Sequence, residues 1–224
     1  MNIRYVLTTR KNFNTIVLFL VWALFFFTPT ALVGGSSPVI LAFGNSLTAG
    51  FGVPNNESYP SRLQKILIQK GYPHKVVNGG VSGDTTAGGL RRIKWLMKHA
   101  PKIVILELGA NDGLRGLSIK AMEFNLDKII GVCEERGAKV LLTGMKAPPN
   151  YGEEYTVEFE KVFFRLAEKY NLSFVPFFLE GVAGVREHTQ SDGIHPLESG
   201  YSIVVETIWK YLKPLMDAGS KTKA

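Results

Sequence analysis

From residue 38 onward, short apolar runs rich in β-branched residues alternate with longer segments of mixed polarity. The short runs, Val39–Phe43, Lys75–Val77, Ile103–Leu108, Lys139–Thr143 and Ser173–Phe177, are predicted as five strands. Between them the apolar residues recur at helical spacing. Ser58–Lys70 puts Leu63, Ile66 and Leu67 on one face, and Thr85–His99 does the same with Leu90, Ile93, Leu96 and Met97. Ser118–Arg136, Glu154–Tyr170 and Leu197–Leu215 follow the same rule, and Gly71, Pro101 and Gly137 separate helices from strands. Strands alternating with helices predict βαβ units and a mainly parallel sheet covered by helices on both faces. A run such as Ile103-Val104-Ile105-Leu106, apolar at every position, fits a strand buried on both sides.

Residues 1–37 follow a different pattern. They carry Arg4, Arg10 and Lys11 and no acidic residue, then an unbroken apolar run from Ile16 to Phe27, then the small residues of Thr28–Gly35. A basic start, a short apolar stretch and small residues after it are the composition of a secretory signal peptide. The rival reading is an uncleaved inner-membrane anchor through residues 12–33, which reach about the minimum spanning length although Pro29 interrupts them. Either way the chain is expected to be exported, to a bacterial periplasm. The whole chain of 224 residues has 26 basic and 19 acidic side chains, a formal charge of +7. Setting the three basic residues of the leader aside leaves 23 against 19, or +4, for a domain read as residues 38–216 with a basic tail at 217–224. Cys133 is the only cysteine, so no internal disulfide can form, and no Cys/His cluster has zinc spacing.

In an open parallel sheet, ligands bind beyond the carboxyl ends of the strands, and the segments following the predicted strands hold the candidate chemistry. Gly44-Asn45-Ser46-Leu47-Thr48-Ala49-Gly50 follows the first strand and Asn78-Gly79-Gly80-Val81-Ser82-Gly83-Asp84 the second. Gly109-Ala110-Asn111-Asp112-Gly113 follows the third, and Ser191-Asp192-Gly193-Ile194-His195-Pro196 lies beyond the fifth. A serine becomes a nucleophile only when a base takes its proton and a third group fixes the base's tautomer. Ser46, His195 and Asp192 are candidates for those three roles. Each has a plainer alternative: Ser46 as a helix N-cap, His195 as a solvated loop residue, Asp192 as a cap for the last helix. Acyl transfer also needs donors where the oxyanion develops, and the Ser46 amide, the Gly83 amide and the Asn111 side chain are candidates, with an Asx-turn the alternative for Asn111. No cofactor and no metal are implied.

These blocks together make the chain similar to the SGNH (GDSL-type) hydrolases. Within that family it resembles the bacterial periplasmic esterases of the thioesterase, protease and lysophospholipase type. The matching segments are Gly44–Gly50, Val81–Thr85, Glu107–Gly116, Asn150–Gly152 and Asp192–Pro196, spread over residues 38–216. The resemblance implies a flavodoxin-like three-layer α/β/α fold, with Ser46 as nucleophile, Asp192 and His195 completing a triad, and Gly83 and Asn111 in the oxyanion hole. One position departs: the family's first block reads Gly-Asp-Ser-Leu, and position 45 here is Asn. Asn keeps the shape and one acceptor, loses the charge and gains two donors; the groups expected at the acyl carbon are all retained, so an active enzyme is expected.

The resemblance implies small-molecule substrates: acyl esters, acyl thioesters or lysophospholipids. Leu114, Pro149 and Tyr151 are the substrate-binding candidates, with Leu117, Pro148 and Met145 beside them, and Gly113–Ser118 is expected to be a mobile lip over the acyl site. A carbohydrate O-deacetylase and a non-catalytic membrane-tethered binding module are the alternatives from other classes. Nucleic acid is not an expected partner, because the basic residues form no run interleaved with aromatics. Neither dinucleotide nor Walker glycine motifs follow a strand. The mild positive charge allows weak contact with an anionic membrane surface, and a monomer is expected.

Overall fold

The computed structural model describes residues 37–220. The leader and anchor readings of residues 1–37 therefore fall outside the described residues, save at residue 37. Five strands, β1 (Val39–Gly44), β2 (Lys75–Gly80), β3 (Ile103–Glu107), β4 (Lys139–Thr143) and β5 (Ser173–Val175), form one sheet in the order β2-β1-β3-β4-β5, and every pairing is parallel. Seven α-helices accompany them among the described residues: α1 (Ser46–Ala49), α2 (Tyr59–Gln69), α3 (Thr86–Leu96), α4 (Ala110–Leu114), α5 (Ile119–Glu135), α6 (Glu153–Lys169) and α7 (Glu198–Ser220). This is the α/β architecture with a five-stranded parallel sheet that the alternation predicts.

The core follows the apolar pattern. All five residues of β3 are buried, and Ile40–Phe43 and Val140–Leu142 bury both faces of their strands. Helices supply one stripe each: Met122, Leu126, Ile129, Ile130 and Cys133 from α5, and Phe159, Val162, Phe163 and Leu166 from α6. Burial pushes the Cys133 thiol up to about 12, so the single cysteine is an inert core group.

Among the boundaries that differ from the sequence expectation, three have a clear physical cause. β2 continues through Asn78-Gly79-Gly80, which stay in register with Ala42-Phe43-Gly44 of β1. Strand glycines normally argue against a strand, but a Cβ on Gly80 would stand 2.2 Å from the Ala49 nitrogen, so the pairing is compatible with α1 only without a side chain. β5 stops at Val175, ahead of Pro176, which cannot donate to the ladder. Finally, α7 runs through Pro214 to Ser220, four residues into the segment read as a tail. Val204, Ile208, Leu212 and Met216, one turn apart and all buried, carry the apolar stripe past the proline.

The strand order places β1 and β3 side by side with β2 and β4 outside them. The segments leaving the C-terminal ends of β1, β2 and β3 are thereby neighbours, where strand order reverses.

Candidate active site

β1 ends at Gly44 and the chain turns at once into α1, a single helical turn. The Asn45 side chain caps it, its Oδ1 accepting from the Leu47 amide at 2.9 Å. Gly50 closes the turn in the left-handed region and donates its N–H to the Ser46 carbonyl. Ser46 thus sits at the first position of a stiff turn above the sheet edge. Its Oγ lies 2.8 Å from His195 Nε2, and His195 Nδ1 lies 2.6 Å from Asp192 Oδ2. The structure brings the three residues named from the sequence into one continuous chain of hydrogen-bond contacts. Since Asp192 accepts at Nδ1, the neutral imidazole carries its proton there and presents a free lone pair on Nε2 to Ser46.

The Asp192 loop is built to hold that aim. Oδ1 of Asp192 accepts from the Ile194 amide at 2.9 Å and the His195 amide at 3.0 Å, so one carboxylate fixes both the loop backbone and the ring. Burial pushes the Asp192 carboxyl up, but the hydrogen bonds from the His195 ring and the two amides outweigh it and hold the group below the usual carboxylate range. Phe51 lies against the imidazole, with ring centroids 4.7 Å apart. The other three histidines stand elsewhere: His74 precedes β2, His99 precedes β3, and His188 Nδ1 pairs with Ser199.

Beside Ser46 is a cavity of about 190 Å³ whose lining includes Ser46, Gly83, Asn111, Leu114, Phe51 and His195. Gly83 has φ +79°, a conformation that disfavours any side chain, and its carbonyl is held by Arg115 at 2.9 Å. The Asn111 carboxamide donates one N–H to the Asp84 carbonyl at 2.9 Å, which orients Nδ2 and leaves its second hydrogen for the cavity. Among the described residues, no protein acceptor takes the Ser46 or Gly83 N–H. Three donors therefore border one small space next to the serine hydroxyl.

Two groups below the loops tie them together. Arg92 of α3 reaches the carbonyls of Gly79 (2.5 Å) and Gly44 (2.8 Å) and the Asp84 carboxylate (2.6 Å), so one guanidinium joins the ends of β1 and β2. Glu107, the last residue of β3, is fully buried beneath α1. It accepts from the Asn45 backbone amide (3.1 Å), Asn45 Nδ2 (2.7 Å) and Thr48 Oγ1 (2.7 Å). Burial pushes the Glu107 carboxyl up to about 8 from an ordinary 4.5, with the bonds from Thr48 and Asn45 pulling the other way. In that window the folded chain keeps a proton that the unfolded chain releases. The Glu107 contribution to stability is therefore fully present below about 4.5 and is lost as pH rises toward about 8. The thermal midpoint should fall across that range, and the fall should be shallower in Glu107→Gln. An identical slope in the two proteins would show that Glu107 is not the source.

The substrate-side expectations divide. Leu114 lines the cavity; Pro149 and Tyr151 do not. Tyr151 instead donates its hydroxyl to the Leu114 carbonyl, and Tyr155 donates to the Leu117 carbonyl, so both hydroxyls tie down the segment after Asn111. That segment, expected as a lip, carries hydrogen bonds of its own from Gly116 to Gly113 and from Leu117 to Asp112. Met145 is core. Phe51, Ile194 and Leu47 were not read from the sequence as wall residues, though each adjoins or belongs to a block that was. Glu107 had a signal, a lone carboxylate in an otherwise apolar strand. Arg92 had none beyond being a charge on a predicted helix.

Comparison with known proteins decides the family. The model of the GDSL-like lipase/acylhydrolase family matches residues 42–203, most of the chain. The chain belongs to that family. The relatives of this GDSL-like acylhydrolase include the esterase TesA of Pseudomonas aeruginosa, 41% identical over 182 residues that cover 81% of this chain and 90% of that protein. Thioesterase 1/protease 1/lysophospholipase L1 of Escherichia coli K12 is 34% identical, over 83% of this chain and 88% of its own. Among solved structures, the psychrotrophic esterase EstA from Pseudoalteromonas sp., inhibited by monoethylphosphonate, superposes with a TM-score of 0.76 at 30% identity, covering 80% of this chain and 98% of that one.

Proposed function

We propose that this GDSL-like acylhydrolase is a serine esterase that hydrolyses acyl esters and acyl thioesters through an acyl-enzyme on Ser46. One observation carries the reading: the unbroken sequence Ser46 Oγ, His195 Nε2, His195 Nδ1, Asp192 Oδ2, at 2.8 and 2.6 Å, opening on a cavity bordered by unpaired N–H donors. The names of its relatives, esterase TesA and thioesterase 1/protease 1/lysophospholipase L1, support the substrate class.

The steps follow from the atoms. Ser46 Oγ attacks the acyl carbon as its proton passes to His195 Nε2, and Asp192 stabilises the imidazolium that forms. The carbonyl oxygen becomes an oxyanion facing the Ser46 and Gly83 amides and Asn111 Nδ2. Collapse expels the alcohol or thiol, which takes the proton back from Nε2. Water then attacks the acyl-serine with His195 again as base, releasing the carboxylic acid and restoring Ser46. Each oxyanion donor supplies on the order of 10²–10³ in rate. Asn111→Ala should therefore lower kcat by about 10²–10³-fold with a small change in KM; a loss of less than about fivefold would remove Asn111 from the oxyanion hole.

The overall reading is tested by assaying the purified protein on p-nitrophenyl esters of graded chain length, an acyl-CoA thioester and a lysophospholipid. Turnover of esters and thioesters is expected. Turnover of none of them, with acetate released from acetylated polysaccharide instead, would replace this reading by that of a carbohydrate O-deacetylase.

A further inference from the structure

Glu107 is a fully buried carboxyl group near Ser46 that the reaction steps leave unused. It contacts the turn that carries the serine and does not line the substrate cavity. Three donors converge on its two oxygens: Asn45 Nδ2 on Oε1, and the Asn45 amide and Thr48 Oγ1 on Oε2. The fit is close, since a Cβ on Gly44 would stand 2.4 Å from Glu107 Oε2 and 2.1 Å from Thr48 Oγ1. The ionisable groups facing Glu107 are Tyr59 of α2, whose hydroxyl lies 3.5 Å from Thr48 Oγ1, and Tyr201 of α7, which donates to the Leu47 carbonyl at 3.0 Å. Among the described residues no cation forms an ion pair with it.

We infer that Glu107 is a positioning residue for the reaction: acting through Asn45, its carboxyl group fixes the turn that aims Ser46 Oγ at His195. The chain of contacts is direct. Glu107 fixes Asn45 Nδ2; this sets the carboxamide plane, so Asn45 Oδ1 faces the Leu47 amide at 2.9 Å and lies 3.5 Å from Ser46 Oγ. Residue 45 thus needs one acceptor, toward Leu47, and one donor, toward Glu107. Asn supplies both without a shared proton. The departure of position 45 from the family's Asp is, on this inference, a matched pair with Glu107 rather than a loss.

Polarity makes the idea testable. A carboxylate accepts from all three donors; a carboxylic acid accepts from Asn45 Nδ2 and the Asn45 amide, while its Oε2–H donates to Thr48 Oγ1, which as a hydroxyl can accept. A carboxamide at 107 cannot: in one orientation its NH₂ faces Asn45 Nδ2, in the other the Asn45 amide. Exchanging both side chains repairs this. In Asn45→Asp/Glu107→Gln, the Asp accepts from Leu47 and from the Gln NH₂, and the Gln oxygen accepts from the residue 45 amide and Thr48. A misaligned nucleophile costs up to about 10²-fold, so Glu107→Gln should lower kcat about 10- to 100-fold with KM changed by less than about threefold. The double variant should recover to within about threefold of the parent, a coupling that independent sites do not show.

The experiment measures kcat, KM and the rate of labelling by a fluorophosphonate for the parent, Glu107→Gln and the double variant, with circular dichroism on each. Recovery in the double variant of both kcat and labelling rate supports the inference. Parent-like kcat in Glu107→Gln, or equal impairment in both variants, overturns it. If Glu107→Gln fails to fold, the double variant alone decides: folded and active supports, unfolded or inactive overturns. The inference rests on Ser46 as nucleophile. A parent that takes no label removes that reading and this one together, whereas a labelled parent with two equally impaired variants removes only Glu107.

Discussion

Ser46→Ala should lower kcat on a p-nitrophenyl ester by at least about 10⁴-fold while leaving the fold and substrate binding intact, because it deletes the atom that forms the acyl-enzyme. The fold should tolerate the change well. The hydroxyl makes its close contact with His195 rather than with the core, and the caps of α1 belong to Asn45 and Gly50. The residual rate would come from the oxyanion donors acting on a water-borne attack, as expected when a triad member is removed and the rest of the site stays. Thermal unfolding of the variant should match the parent to within a few degrees. A variant retaining a tenth of parental kcat would mean that the acyl group never resides on Ser46.

The second large effect is expected at Asp192. Asp192→Asn keeps size and shape but changes what His195 meets. Asp192 accepts at Oδ2 from the ring and at Oδ1 from two backbone amides. A carboxamide can match only one of these. If its oxygen stays with the amides, its NH₂ faces Nδ1 and the ring must move its proton to Nε2, where it points at Ser46 and cannot accept. If its oxygen turns to the ring, the NH₂ collides with the Ile194 and His195 amides and the loop loosens. Both outcomes disable the base, and kcat should fall by about 10³–10⁴-fold, the range expected from a wrong tautomer in such a triad. The effect should appear in kcat and not in KM. A loss under tenfold would show that the loop, and not the carboxylate charge, holds the ring.

The fold was legible because its signals are local. Strand β3 reads as a buried run, α5 and α6 read as amphipathic helices, and Gly71 and Gly137 mark real ends. The misread boundaries are those decided by tertiary contact. Asn78-Gly79-Gly80 has a loop's composition, yet it pairs with β1, and Gly80 is glycine there because α1 approaches too closely for a side chain. Pro214 sits inside α7 because an apolar stripe on either side of it is anchored in the core.

The site shows the same division. Ser46, Asp192, His195, Gly83 and Asn111 could be nominated because each follows or lies beyond a strand end in a recognisable block. Strand order brings Ser46, Gly83 and Asn111 together, whereas Asp192 and His195 reach Ser46 on the long segment between the edge strand β5 and α7. Tyr151 and Pro149 were nominated as substrate contacts from chemical type alone. In the structure Tyr151 donates its hydroxyl to the Leu114 carbonyl and is not among the residues lining the cavity beside Ser46. Glu107 and Arg92 act from beneath, across distances of tens of residues, and neither neighbourhood is written in the local sequence. Phe51 follows the glycine that ends α1, and only the fold brings it to the imidazole.

The central claim is that Ser46 is a nucleophile activated by His195. The most direct measurement is intact-mass and peptide mapping of the protein after exposure to a fluorophosphonate, for the parent and Ser46→Ala. The account predicts one phosphonyl adduct on the parent, located on Ser46, with activity lost in step with labelling, and no adduct on the variant. A parent that stays unlabelled while it hydrolyses esters, or a label on any other residue, would contradict it.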